Sequence, residues 1–242
     1  MEKARCEGIV LKVMAYREHD LLVDFMTETH GRLTGLARHA TKSKKRFGPL
    51  LAPANILNVQ FKPGELAFLE EVSLAQPLSH LYDQLDRLAA AFYLLDCIRT
   101  AVHEGSPDKP CYLLLRKSLV ALHERHSPGR VIPLFQYHFL RHLGFQPKLD
   151  VCGRCGGHGD DRYYFVFREG QMLCLRCLPQ QEPFAMLPSP AILQLRSWEQ
   201  DEPRWEEEVC PEVKQFLPKF LEYQLGKRLR SSLILPKILA KG

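Results

Sequence analysis

Hydrophobic and polar positions along the first seventy residues follow the two-residue period of strands. Ile9, Leu11 and Val13 alternate with polar or small neighbours, and Leu21-Leu22-Val23-Asp24-Phe25 is a short β-rich run. Gly31-Arg32 is a turn signal before Leu33-Thr34-Gly35-Leu36. Ile56–Phe61 and Leu66–Leu69 flank Lys62-Pro63-Gly64-Glu65, whose Pro-Gly step suits a tight turn between antiparallel strands. About five short strands joined by turns predict a small closed barrel of the OB-fold kind over residues 1–79, with a small sandwich as the alternative.

From His80 the period lengthens. Leu81, Leu85, Leu88, Phe92, Leu95 and Val102 recur at three- and four-residue spacings, which predicts a helix burying that stripe. A second helix carries Tyr112, Leu115, Leu119 and Leu122 and stops at Ser127-Pro128-Gly129. A third runs from about Val131 to Leu143, with Gly144 as its left-handed cap and Phe145 folding back towards Leu140. Two more are expected near Pro190–Glu199 and Val209–Leu229. The predicted class is α+β: an N-terminal OB-fold-like β-barrel, residues 1–79, followed by an α-helical domain, residues 80–242. An inserted four-cysteine module at about 150–179 interrupts the helices.

That module carries the most specific chemistry in the chain. Cys152-x-x-Cys155 and Cys174-x-x-Cys177 lie 18 residues apart, within the spacing of four-cysteine zinc sites. Two strands, Tyr163–Phe167 and Gln171–Leu175, around Arg168-Glu169-Gly170 would bring the pairs together. Four thiolates fill a tetrahedral shell and leave no open position, so the expected Zn2+ is single and structural rather than a water activator. Two redox-active pairs are the competing reading, but the βαβ context of such motifs is missing. Cys6, Cys97, Cys111 and Cys210 are scattered singly and read as small buried hydrophobes.

Composition narrows the partners. The 242 residues include 33 Lys and Arg against 28 Asp and Glu, a net charge of +5 that is too small to identify a nucleic-acid partner by itself. Its distribution says more. Between Thr29 and Gly64 there is no acid, while Arg32, Arg38, Lys42, Lys44, Lys45, Arg46 and Lys62 are cationic, five of them within Arg38–Arg46. Such a loop on a barrel can neutralise phosphates, the bland alternative being a solvated loop. Phe47 at its edge is read as an anchor to the core rather than a base-stacking residue. Lys227, Arg228 and Arg230, with Lys237 and Lys241, form a second basic cluster after Glu222, and Glu199–Glu212 is acidic. Phosphate-loop, HExxH and GxSxG motifs are absent, so no enzyme is expected. No apolar run is long enough for a bilayer or a signal-peptide core, and a cytoplasmic protein is expected.

The order of barrel-like strands, basic loop at Arg38–Arg46, helices, four-cysteine insert at Cys152–Cys177 and further helices resembles the bacterial RecO family of DNA repair and recombination mediators. Glu7–Leu11, Tyr16–Leu22, Phe25-Met26-Thr27 and Gly31-Arg32-Leu33 look like its N-terminal pattern, and Arg38–Arg46 like its basic run. Phe135–Phe145 resembles the helix before its zinc insert, and Leu225–Ser231 its C-terminal signature. His39 stands where the family often has glycine, and Ala52-Pro53-Ala54 replaces a more usual Gln-Pro-Phe. The resemblance implies binding of single- and double-stranded DNA and ATP-independent annealing of complementary strands. It also implies work with RecR and single-strand-binding protein (SSB), indirect help to RecA loading, and a nucleoid-associated bacterial protein. An SSB C-terminal tail, acidic and apolar, would need cations among apolar helices, and Arg116, Lys117, Arg130 and Arg141 are the candidates. Outside the resemblance, an RNA-binding or transcription-associated zinc-ribbon protein and a thiol-redox protein remain open.

Overall fold

The computed structural model describes residues 3–43, 46–64, 66–157, 163–199 and 202–239. Five strands, β1 (Ala4–Tyr16), β2 (Asp20–Thr27), β3 (Gly31–Ala37), β4 (Ile56–Lys62) and β5 (Ala67–Gln76), close a barrel in the order β1-β2-β3-β5-β4. All neighbours are antiparallel except β3 and β5, which pair in parallel at Gly35↔Ala67 and Leu36↔Phe68. This is the expected barrel and not the sandwich. Its interior holds Val10, Val23, Phe25, Leu57, Val59, Phe61 and Leu69, all buried.

The phase of β1 differs from the alternation read in the sequence. Val10 belongs to the barrel interior, whereas Ile9, also fully buried, lies on the outer face. A register shift between Val10 and Lys12 adds a residue to the pairing with β2, and Val13 rejoins the interior after it. Burial on both faces of β1 is why a simple period-two pattern is blurred there.

The chain divides into two compact units, one of residues 1–125 with 230–242 and one of residues 126–229. In the first, the barrel is joined by helices α1 (Leu85–Ala101) and α2 (Lys109–His123). Asp24, buried on β2, receives the Arg32 guanidinium through Nε and Nη2 at 3.0 and 2.9 Å, and Arg32 Nη1 donates to the carbonyls of Arg99 and Val102 at the end of α1. Gly31 takes φ +67°, and a Cβ there would fall 2.0 Å from the Ser106 carbonyl oxygen, so only glycine lets the segment after α1 lie against β3.

The stripe predicted to bury α1 holds in part: Leu95, with Leu81 and Val102 on either side of the helix, is buried, but Leu85 is 66% and Phe92 44% exposed, and Ala90, Ala91, Tyr93, Leu94, Cys97 and Ile98 supply the rest of the buried side. The run from Leu88 to Leu95 is apolar nearly all round, so periodicity does not select the buried side, and small Ala90 and Ala91 permit the close approach.

In the second unit, α3 (Pro128–His142) ends with Gly144 at φ +83° and the Phe145 N–H on the Leu140 carbonyl at 2.8 Å, as the sequence predicts. A three-stranded sheet follows, in the order β7-β6-β8, from β6 (Tyr163–Val166), β7 (Gln171–Leu173) and β8 (Phe184–Leu187). Helices α4 (Ser189–Ser197) and α5 (Pro211–Leu225) complete the unit. Phe165 packs edge-on against Phe216 and Phe220 of α5, with ring centroids 4.9 Å apart in both pairs. The last short helix, α6 (Leu235–Leu239), packs on α1 in the first unit; neither it nor β8 is signalled by the sequence pattern. Among the described residues no helix is long and apolar enough to cross a membrane.

Candidate metal centre and nucleic-acid interface

The two cysteine pairs meet at one point. The sulfurs of Cys152, Cys155, Cys174 and Cys177 all lie within 4.8 Å of one another, with Cys155 Sγ 3.8 Å from Cys174 Sγ. The antiparallel pairing of β6 and β7 at Tyr164↔Leu173 and Val166↔Gln171 delivers the second pair, as the predicted hairpin requires. The first pair is tied to that hairpin by Met172 N–H on the Lys148 carbonyl and Gly153 N–H on the Met172 carbonyl, both at 3.0 Å. The first knuckle runs so close to the hairpin that a Cβ on Gly153 would sit 2.1 Å from Gln171. Arg154, inside the first pair, pairs with Glu169 at 2.6 Å and donates to the Cys177 carbonyl at 3.2 Å, a brace that spacing alone does not announce.

The electrostatics suit a cation. Burial pushes the Cys152 thiol up, but backbone N–H groups of Cys174, Cys155 and Arg154 outweigh it and bring the group down to about 6. Cys177 is pushed up to about 12 by its hydrogen bond with Cys174, by burial and by the neighbouring sulfurs. Four sulfurs this close cannot all ionise against one another, and a bound divalent cation removes that conflict. The set offers four soft donors with Val166, Leu173 and Leu178 around them, and it can hold a metal ion in a closed shell.

The basic loop leaves β3 and folds back on the barrel. Lys42 N–H bonds to the His39 carbonyl and Ser43 N–H to the Ala40 carbonyl, two successive tight turns, while Thr41 N–H and Oγ1 both reach the His19 carbonyl at 3.2 Å. His39 takes the left-handed conformation, φ +53°, with its N–H on Asp20 Oδ1 at 2.8 Å. That geometry is one glycine adopts without strain. Phe47 is 1% exposed and anchors the loop in the core, as expected.

Arginines at the two ends of the loop are held in place. Arg46 Nη2 donates to the Arg38 carbonyl at 2.8 Å, and its guanidinium lies 4.4 Å from the Phe47 ring centroid. The Arg38 guanidinium lies 4.8 Å over the ring of Phe68 on β5. Both arginines and Lys42 are exposed. Lys44 and Lys45 lie outside the described residues, as does Lys241 of the second basic cluster.

Other sequence candidates sit elsewhere. Arg32 is engaged by Asp24 and two carbonyls, as above, and stands apart from the loop cations as a link between barrel and helix. Lys227 and Arg228 are exposed just after α5, in the second unit, and Arg230, also exposed, falls in the first. Arg116 pairs with Glu7 at 2.8 Å, and the same carboxylate accepts from the Tyr112 hydroxyl. Burial would raise Glu7, but hydrogen bonds from Arg116 and Tyr112 hold it below the usual carboxylate range. Arg130 pairs with Glu208, and Arg141 donates to the Glu199 carbonyl. Arg116 and Lys117 belong to the first unit, Arg130 and Arg141 to the second.

Sequence comparison agrees with this architecture. A model described as Recombination protein O N terminal matches residues 1–78, and one described as Recombination protein O C terminal matches residues 82–233. The DNA repair protein RecO of Anaeromyxobacter dehalogenans strain 2CP-1 is 31% identical over 248 residues, covering 98% of each chain. That of Syntrophus aciditrophicus is 30% identical over 251 residues, covering 98% of this chain and 97% of its own. The protein of the same name from Myxococcus xanthus is 27% identical over 234 residues, covering 96% of both. With two models spanning nearly all of a chain that folds as a five-stranded barrel, helices and a four-cysteine module, the chain belongs to the RecO family.

Proposed function

We propose that this chain is a DNA repair and recombination mediator that binds DNA and anneals complementary single strands without ATP. The reading rests on the loop at the barrel surface, where Arg38 and Arg46 are exposed, braced against aromatic rings and joined by a hydrogen bond. Cations already held in place lose little freedom on meeting phosphates, and they belong, with Lys42, Lys44 and Lys45, to a stretch of sequence dense in positive charge and free of acids. Proteins named for DNA repair and similar over nearly the full chain support the same role.

The four cysteines are assigned one Zn2+, which would supply a closed, structural cross-link and no open position for catalysis. RecR and SSB are the proposed protein partners and RecA the indirect one, in the bacterial cytoplasm at the nucleoid. An SSB tail is assigned either to the helix carrying Arg116 and Lys117 in the first unit or, separately, to the helix carrying Arg130 and Arg141 in the second. Because Arg116, Arg130 and Arg141 already have internal acceptors, apolar contacts would carry much of that interaction. Lys227, Arg228 and Arg230 are a secondary DNA surface.

The test is annealing of two complementary oligonucleotides coated with SSB, without nucleotide cofactor. Acceleration over the protein-free rate is expected. No acceleration, together with binding to RNA in preference to single-stranded DNA in direct competition, would move the chain to RNA work.

A further inference from the structure

We infer that Phe68 is a base-stacking platform that lets the barrel tell single strands from duplex. The inference rests on the proposed DNA-binding role and assigns a chemical division of labour within that surface.

Alternation on β5 sends Ala67 and Leu69 into the barrel and Phe68 outwards, where it is 37% exposed. Its cross-strand partners are Leu36 on β3 and Lys62 on β4. An aromatic ring on the outside of a barrel is thus set between an apolar neighbour and two cations, Lys62 beside it and Arg38 over it. The nearest acid along the same strand face, Glu70, is neutralised: Lys3 Nζ and Lys62 Nζ lie 2.8 and 3.1 Å from its carboxylate, and with Gln60 they hold it down at about 2. The neighbourhood therefore carries net positive charge, and the ring face under Arg38 is freed for a base when that guanidinium turns to a phosphate.

A nucleotide of single-stranded DNA has the complementary form, a flat apolar base joined to one negative phosphate. With the phosphate near Arg38 and Arg46, the base is within reach of the ring that Arg38 covers, and stacking between them needs no particular sequence. In a duplex both faces of every base are already covered by their neighbours, so duplex DNA gains from the cations and not from the ring. The ring should therefore set the ratio of single-strand to duplex affinity, while the loop cations set the salt dependence.

The experiment uses the full chain with an oligonucleotide carrying 2-aminopurine, alone and as a duplex of the same length, across a salt series. The expected results are quenching of 2-aminopurine when the wild type binds the single strand, and a loss of single-strand affinity of about fivefold or more in Phe68→Leu. Duplex affinity and the salt slope should stay unchanged in that variant, and Phe68→Trp should bind as the wild type or tighter. Absence of quenching in the wild type, or equal weakening towards both DNAs in Phe68→Leu, overturns the inference. So does wild-type behaviour of Phe68→Leu while Arg38→Ala with Arg46→Ala loses affinity, in which case phosphate binding by the loop still stands. Wild-type binding by both variants overturns the proposed DNA surface itself.

Discussion

The barrel and the cysteine module solve the same problem, a small sheet that must stay closed, in opposite ways. The barrel closes through a ring of paired strands around an apolar interior built from five strands and the anchor Phe47. The module has strands of only three or four residues, and the cluster at its knuckles consists of Cys152, Val166, Leu173 and Cys174. Few apolar groups lie between the two knuckles, and a metal ion held by the four sulfurs would be their main cross-link. On the proposed assignment, stability is spread over many residues in one region and concentrated on four sulfurs in the other.

The largest expected effect breaks that contrast at its strongest point. Cys174→Ser, or removal of metal by a chelator, should unfold the module and loosen residues 126–229, because structural zinc is worth roughly 10–16 kcal/mol in small peptides. Limited proteolysis should then cut within 126–229 while a barrel fragment survives, and elemental analysis of the unmodified protein should find one zinc per chain. Intact protein without metal would contradict the assignment.

Next in size is Gly31→Ala. The left-handed backbone and the Ser106 carbonyl leave no room for a methyl group, and a loss of about 2 kcal/mol or more in urea unfolding is expected, without effect on metal content. Smaller still is Glu7→Gln, which weakens charge-assisted bonds from Arg116 and Tyr112 on a partly exposed carboxylate and should cost about 1 kcal/mol. The sign with pH is fixed by the depressed Glu7 group. Its contribution is fully present above the carboxylate's unfolded value and is lost as pH falls through the lower folded one, so the difference between wild type and variant should shrink in acid.

The two regions were also unequally legible. The cysteine spacing named the four-sulfur cluster without any tertiary information, because its geometry is local to two turns and one hairpin. The barrel was legible as a set of strands, but the bulge after Val10 and the choice of buried face on α1 depend on what packs from outside, which no local period encodes. The basic run was visible as charge. That Arg38 leans on Phe68, thirty positions further along, follows only from the parallel pairing of β3 with β5. Arg32 shows the reverse: a cation that looks like a phosphate ligand in sequence is held by a buried aspartate on the neighbouring strand.

The smallest expected effect on stability belongs to the residues with the largest expected effect on binding. Replacing Lys42, Lys44, Lys45 and Arg46 with alanine should change stability by no more than about 0.5 kcal/mol, since these are loop cations. The decisive measurement is fluorescence anisotropy of a labelled single strand across a salt series, with thermal melting as control. If about five phosphates are neutralised, the log–log slope of the wild type should be near −3.5, and the quadruple variant should bind weakly with a slope flatter by up to about 3. A folded quadruple variant with wild-type affinity and slope would show that the loop is only solvated, and DNA binding would have to be sought at Lys227, Arg228 and Arg230.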